Sequence, residues 1–186
     1  MGKTEQDTEA IGAEPRQWAA GTVGRGVGAF CLAMAGAAVY LVLTQEFTWS
    51  SGVLIAGAAF WTSAAATGLN WRVTADRSGV WVTGAWAVKA VPWEEIQKVV
   101  IDHDSFAVHR AKGTTVTLRP TGVMRLERRS VAGHAAGRAA DAVRAMLADP
   151  ELRPARDSVP GEQGMPLGPV LVVGLLAWGA CVYWLF

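Results

Sequence analysis

The chain has 186 residues and a formal net charge of +1; 51% of its residues are hydrophobic and only 18% charged, against about a quarter charged in an ordinary soluble domain. That apolar content excludes a disordered chain, and the near-zero net charge argues against a nucleic-acid binder. Length allows one domain of ordinary size, and the charge is uneven, with no Asp, Glu, Lys or Arg in residues 26–45, 47–71 or 163–186.

Residues 1–25 read as a cytoplasmic N-terminal tail of mixed charge, with Lys3, Arg16 and Arg25 against Glu5, Asp7, Glu9 and Glu14. Three apolar runs follow along the chain. The first fills 27–43 within a transmembrane helix at 26–45, the second 52–69 within one at 51–70, and the third 167–186. A helix crosses a hydrocarbon core of about 30 Å with about 20 apolar residues, and lipid obliges the backbone to bond internally. Thr62, Ser63, Thr67 and several alanines make the second run the weakest of the three. The acidic tail is a poor signal-peptide n-region.

Trp18, Trp49, Trp71 and Trp184 fall near span ends, where indole suits the headgroup level, whereas Trp61 and Trp178 lie mid-span as packing residues. Arg16 and Arg25 precede the first span, Arg72 and Arg77 follow the second, and Arg153 and Arg156 precede the third; the connector 45–51 has no Lys or Arg. The positive-inside rule then places the N-terminus and the central domain in the cytoplasm of a multi-pass cell-membrane protein. Cys31 and Cys181 lie at different depths and read as unpaired apolar residues. Gly24 and Gly28, Ala29 and Ala33, and Ala33 and Ala37 are small residues four apart, a spacing that suits packing among the spans or a dimer.

Between the second and third spans, at 71–150, the period changes to two. Residues 71–75 and 80–83 read as a hairpin across the turn Asp76-Arg-Ser-Gly79, and 86–91 as a third strand ended by Pro92. Residues 92–96 make a corner. Strands follow at 98–101, 106–110 and 114–119, with Val123, Met124 and Leu126 a last short strand. The helical period returns after a Ser130 cap, with Val131, Ala135, Ala139, Val143, Met146 and Leu147 on one stripe. Residues 151–166 are rich in Pro, Gly and charge and read as a linker. Six or seven short strands and one amphipathic helix make a small β-sandwich or barrel capped by the helix.

The order strand, Gly turn, strand, strand, "VPWEEIQKVVI", hairpin "FAVHRAKGTTVTLRP" and terminal helix resembles the bacterial pleckstrin-homology (PH)-like domains, and is most similar to the family described by the low molecular weight protein antigen 6. Val73, Thr74, Gly79, Val80, Pro92, Trp93, Ile96 and Val99 carry the likeness with that hairpin, across about residues 70–148. It implies an α+β membrane protein with a PH-like domain, of bacterial type, and gives a location rather than a reaction.

Chemistry-bearing patterns are sparse. Asp102, His103 and Asp104 with His109 are metal-ligand types, but neighbours on a strand diverge, so no metal is expected. Ser130, His134 and Asp141 lie along one helix without a nucleophile elbow. No P-loop, C-x-x-C or dinucleotide fingerprint occurs, so neither an enzyme nor a cofactor is expected. Arg119, Arg125, Arg128 and Arg129 form a basic set, diluted by Glu127, that would contact headgroups or a protein partner. Trp81, Trp86 and Trp93 read as sheet packing. The expected partners are the lipid bilayer and a membrane or cytoplasmic protein, a second copy of the chain among them, with no nucleic acid. The expected function is a membrane-tethered interaction or scaffold module; the alternatives are an accessory subunit of a membrane transport or secretion complex, or a binder of anionic headgroups.

Overall fold

A computed structural model describes residues 14–45, 49–102, 105–111, 113–118 and 135–185. The chain is α+β, with two antiparallel sheets. One sheet has the order β1-β2-β3-β4, built from β1 (Arg16–Ala19), β2 (Arg72–Ala75), β3 (Gly79–Thr83) and β4 (Val88–Pro92). The other has the order β5-β6-β7, from β5 (Ile96–Asp102), β6 (Ser105–Arg110) and β7 (Thr115–Leu118). A 3-10 turn, Trp93–Glu95, makes the corner between them.

The period-two segments pair as hairpins because each alternates a core face with an outer one. Val73 stands opposite Val82 and Ala75 opposite Val80. Val108 lies between Val99 and Val116. These residues are buried with Trp71, Val91, Trp93 and Phe106 in one core. Burying a side chain of the size of Val or Phe contributes roughly 1.5–3 kcal/mol. The core is closed by the third long helix, α3 (Ala135–Ala148), which buries Ala136, Ala139, Ala140, Val143 and Met146 on one stripe. It packs on β1, β2 and β5. Arg144 Nε donates to the Val99 carbonyl at 3.0 Å, which ties the outer flank of the helix to β5. The last strand read from Val123, Met124 and Leu126 lies outside the described residues, as does the Ser130 cap.

Two long helices stand between β1 and β2: α1 (Thr22–Thr44) and α2 (Trp49–Asn70). The chain therefore leaves the sheet through β1 and returns to it through β2, its ladder neighbour, with Ala19 opposite Arg72. Residues 1–25, expected as a tail, thus contribute the strand β1. The four-residue β1 has one large apolar side chain, and its partner strand lies beyond both long helices, so no local signal marks it.

The packing of the helical hairpin is inverted relative to a soluble core. Along α1 the buried residues are Gly24, Gly28, Cys31, Ala35 and Ala38, and along α2 Ala64, Ala65, Ala66, Thr67 and Gly68 are among them. Phe30, Val53, Ile55 and Phe60 point outward and are exposed. Small residues let the backbones meet. A Cβ on Gly68 would sit 2.9 Å from the Gly24 carbonyl oxygen, and one on Gly28 would sit 2.7 Å from the Leu69 nitrogen. Close approach of small residues is how helices associate without a hydrophobic drive between them. Thr62 and Thr67 donate their hydroxyls to the carbonyls of Ala58 and Ser63, one turn back, so neither needs water. Trp61 meets Phe30 and Phe60 edge to face.

Both α1 and α2 are long and apolar enough to cross a membrane. The last helix, α5 (Gly168–Leu185), follows the single helical turn α4 (Pro160–Gln163). It is apolar but shorter, about 27 Å at 1.5 Å per residue. Cys31 and Cys181 are both free.

Residues 150–166 form a strap rather than an extended connection. A 3-10 turn, Pro150–Leu152, leads into a segment that crosses the outer face of β2 and β3. Thr74 Oγ1 donates to the Glu162 carbonyl at 2.8 Å, and Thr83 Oγ1 donates to that of Gln163. Arg72 reaches the Gly161 carbonyl at 3.0 Å. The strap explains why two polar residues on the sheet's second face, Thr74 and Thr83, are fully buried.

Candidate functional site

The most elaborate polar arrangement among the described residues centres on Asp76, at the turn between β2 and β3. The sequence Asp76-Arg-Ser-Gly79 favours an Asx turn, in which the side-chain carboxylate takes the place of a backbone acceptor. Its Oδ1 accepts from the Ser78 and Gly79 backbone N–H groups, each at 2.9 Å, and from the Ser78 hydroxyl at 2.8 Å. Its Oδ2 accepts from the Trp81 indole at 2.7 Å, from the Ser158 backbone N–H at 3.1 Å and from the Ser158 hydroxyl. The Asp76 carbonyl also accepts from the Trp93 indole at 2.9 Å. One residue thus joins the hairpin turn, the corner before β5 and the strap.

The carboxylate is buried. Burial alone would raise its pKa. The hydrogen bonds from the Ser158 and Ser78 hydroxyls, and from the Ser158 and Gly79 backbone, outweigh that and hold it below the usual carboxylate range. The strap is pinned on either side of this clasp. The Arg77 N–H donates to the Arg156 carbonyl at 3.2 Å. Arg156 binds both carboxylate oxygens of Glu162, at 2.8 and 3.2 Å, while Glu162 also accepts from the Val159 N–H. The Arg156 guanidinium and that N–H lower the Glu162 pKa. Arg153 lies over the Trp93 ring, 4.9 Å from its centre, and donates to the Met146 carbonyl. Each of these bonds joins one protein group to another across the strap, so the clasp reads as a device that fixes the strap.

The residues singled out in the sequence are placed as follows. Arg119, Arg125, Arg128 and Arg129 lie outside the described residues, as do His103, Asp104, Ser130 and His134. The His109 ring bonds the Thr115 hydroxyl across the hairpin at 3.2 Å. Asp141 pairs with Arg144 at 2.8 Å on the exposed side of α3. No three His, Cys, Asp or Glu side chains among the described residues converge as a metal site. Of the tryptophans expected at span ends, Trp49 is 85% and Trp184 88% exposed, but Trp71 is fully buried in the domain core. Its position next to α2 misleads: β2 begins one residue later, so Trp71 belongs to the sheet. Trp93 is buried as expected for packing, whereas Trp86 is 51% exposed.

A second feature lies at the end of the helical hairpin away from the sheets. There α1, α2 and α5 enclose an apolar groove of about 570 Å³, lined by Val39, Leu43, Ile55, Ala59, Leu176 and Tyr183 among others. Its lining has no acidic or basic side chain, and its polar groups are the Thr62 and Tyr183 hydroxyls and the Trp184 indole, which suits hydrocarbon rather than chemistry.

Comparisons of the chain with protein-family models, curated proteins and solved structures find no match. The functional reading therefore stands on the sequence and geometry alone.

Proposed function

We propose that the protein is a membrane-tethered interaction or scaffold module, without catalysis, whose PH-like domain presents a cytoplasmic binding surface. The observation that carries the proposal is the inverted packing of α1 and α2. Small residues fill their seam, and large apolar residues such as Phe30 and Phe60 cover their outside. A contiguous apolar exterior of this kind suits lipid and would be a liability in water. The hairpin also leaves and re-enters one sheet through adjacent strands, so the domain is held close to the bilayer. From β2 onward, three strands, a corner, three strands and a packed helix run in the order on which the PH-like resemblance rests and support that reading; β1 adds a fourth strand to the first sheet, outside the resemblance. Tethering raises the effective concentration of such a surface, so weak contacts suffice.

In this proposal α5 is the third span, and the bilayer and a membrane or cytoplasmic protein are the partners. Photo-crosslinkers placed on the exposed surface of the domain, at Lys98 and Ala145, test it in intact membranes. Capture of a protein through these positions is the expected result. Capture confined to crosslinkers in the spans would overturn it and favour an accessory subunit of a transport or secretion complex. The apolar groove of α1, α2 and α5 favours that second reading, because it could seat a partner's helix. Headgroup binding by Arg119, Arg125, Arg128 and Arg129 needs the full chain for its test, since a fragment of residues 71–150 lacks β1 and the strap. Replacing Arg125, Arg128 and Arg129 by Ala would then abolish any salt-sensitive preference for anionic vesicles.

A further inference from the structure

We infer that the turn between β3 and β4, with Trp86 at its tip and Met165 beside the neighbouring helix ends, is a lipid-contacting foot. It rests at the headgroup level of the bilayer that holds α1 and α2. The inference rests on the membrane reading proposed above, and adds to it a surface and an orientation for the domain.

The register of the sheet sets the level of this turn. Chain direction carries α2 directly into β2, and the first residue of β2, Arg72, stands opposite both Ala19 and Thr83. The end of β1, the start of α1, the end of α2 and the end of β3 therefore lie at one height. The turn 84–87 follows directly, closed by the Gly84 N–H on the Ala87 carbonyl at 3.0 Å.

Two hydrogen bonds tie this height to the remaining helix. The Gly168 N–H, at the start of α5, donates to the Ala85 carbonyl at 2.7 Å. Asn70, the last residue of α2, donates through Nδ2 to the Met165 carbonyl at 2.5 Å. Contact at α5 is close enough that a Cβ on Gly168 would lie 2.6 Å from the Trp86 ring. Trp86 is thus fastened at the level where the helices leave the sheets.

The foot also carries large apolar side chains that the domain leaves open. Trp71 and Trp93 are buried and Trp81 is half-buried, but Trp86 and Met165 are 51% and 59% exposed. An indole suits this depth, since its ring can enter the glycerol region while its N–H faces the polar layer. Arg25 is exposed in the first turn of α1, and its long stem can carry the guanidinium to lipid phosphates. Trp86 and Met165 therefore fit a phospholipid interface continuous with the exterior of the spans, and their contact would fix the tilt of the sheets over the bilayer.

Site-directed spin labelling of the full chain tests this. Cys31 and Cys181 are replaced by Ala, and single cysteines are placed at Trp86, Met165, Phe60 and Ala145. The labelled proteins are reconstituted into phosphatidylcholine–phosphatidylglycerol vesicles. Collision rates with oxygen, which partitions into lipid, and with a water-soluble nickel chelate then report depth. The label at Phe60 should favour oxygen and that at Ala145 nickel. Labels at Trp86 and Met165 should be intermediate, with nickel collisions several-fold below those at Ala145. If positions 86 and 165 match Ala145 while Phe60 stays in lipid, the foot is overturned and the membrane reading stands. If Phe60 is also water-exposed, both fall. Met165→Cys keeps the test informative should Trp86→Cys disturb the turn.

Discussion

Asp76 concentrates more of the domain's connectivity than any other described side chain. Its two oxygens serve hydroxyl, indole and backbone donors from the turn, from β3 and from the strap. Asp76→Asn would turn an amide donor toward some of these donors, and removing charge-assisted bonds from a buried site costs about 3 kcal/mol. Chemical denaturation of the purified protein in detergent would measure that loss. The pH dependence follows from the lowered pKa. Between the folded value and the unfolded value of about 3.9, the unfolded chain binds a proton that the folded chain does not. The stabilisation is therefore fully present above that range and is lost as pH falls through the folded pKa. Asp76→Asn should lack this acid-side decline. The turn was legible in the sequence, because Asp-x-Ser-Gly is a turn signal. The burial was not, because Ser158 is brought to the carboxylate only by the strap.

At the scale of elements, the strap and the helical hairpin each make a distinct expectation. Residues 151–166 have the composition of a linker, yet their carbonyls accept from Thr74 and Thr83 on the sheet. Ser158→Ala removes one donor to Asp76 and should cost about 1–2 kcal/mol. It should also speed tryptic cleavage after Arg156 (the Arg153–Pro154 bond resists trypsin in any case), whereas the native strap resists at protease levels that cut an extended linker; limited proteolysis reads this. In the hairpin, Gly68→Val drives carbon into the Gly24–Gly28 backbone, and overpacking of this kind costs roughly 1–3 kcal/mol. Gly57→Ala meets nothing within 4 Å and should be neutral or slightly stabilising, since Ala is the better helix former. Thermal unfolding in detergent separates the two. The small residues Gly24 and Gly28 were visible in the sequence. Their use within the chain was not, because spacing alone fits a dimer equally well.

For the whole molecule, the legible part was what each stretch repeats locally. Alternation marked the paired strands from Arg72 onward, and the 3.6 period marked α3. Uncharged length marked α1 and α2. The illegible part was what distant segments do for one another. Strand β1 is recruited to the sheet from across the hairpin, Trp71 passes from apparent span end to core, and Trp86 is left open. If α1 and α2 cross a bilayer, as proposed, they hold the sheets on one side of it. Cysteine accessibility in intact cells tests this most directly, with native cysteines removed and single cysteines at Ser50, in the first turn of α2, and at Ala145, on the exposed side of α3. A membrane-impermeant maleimide should label Ser50→Cys in intact cells and Ala145→Cys only after the membrane is opened. Equal labelling of both in intact cells, or labelling of Ala145→Cys alone, would contradict the account.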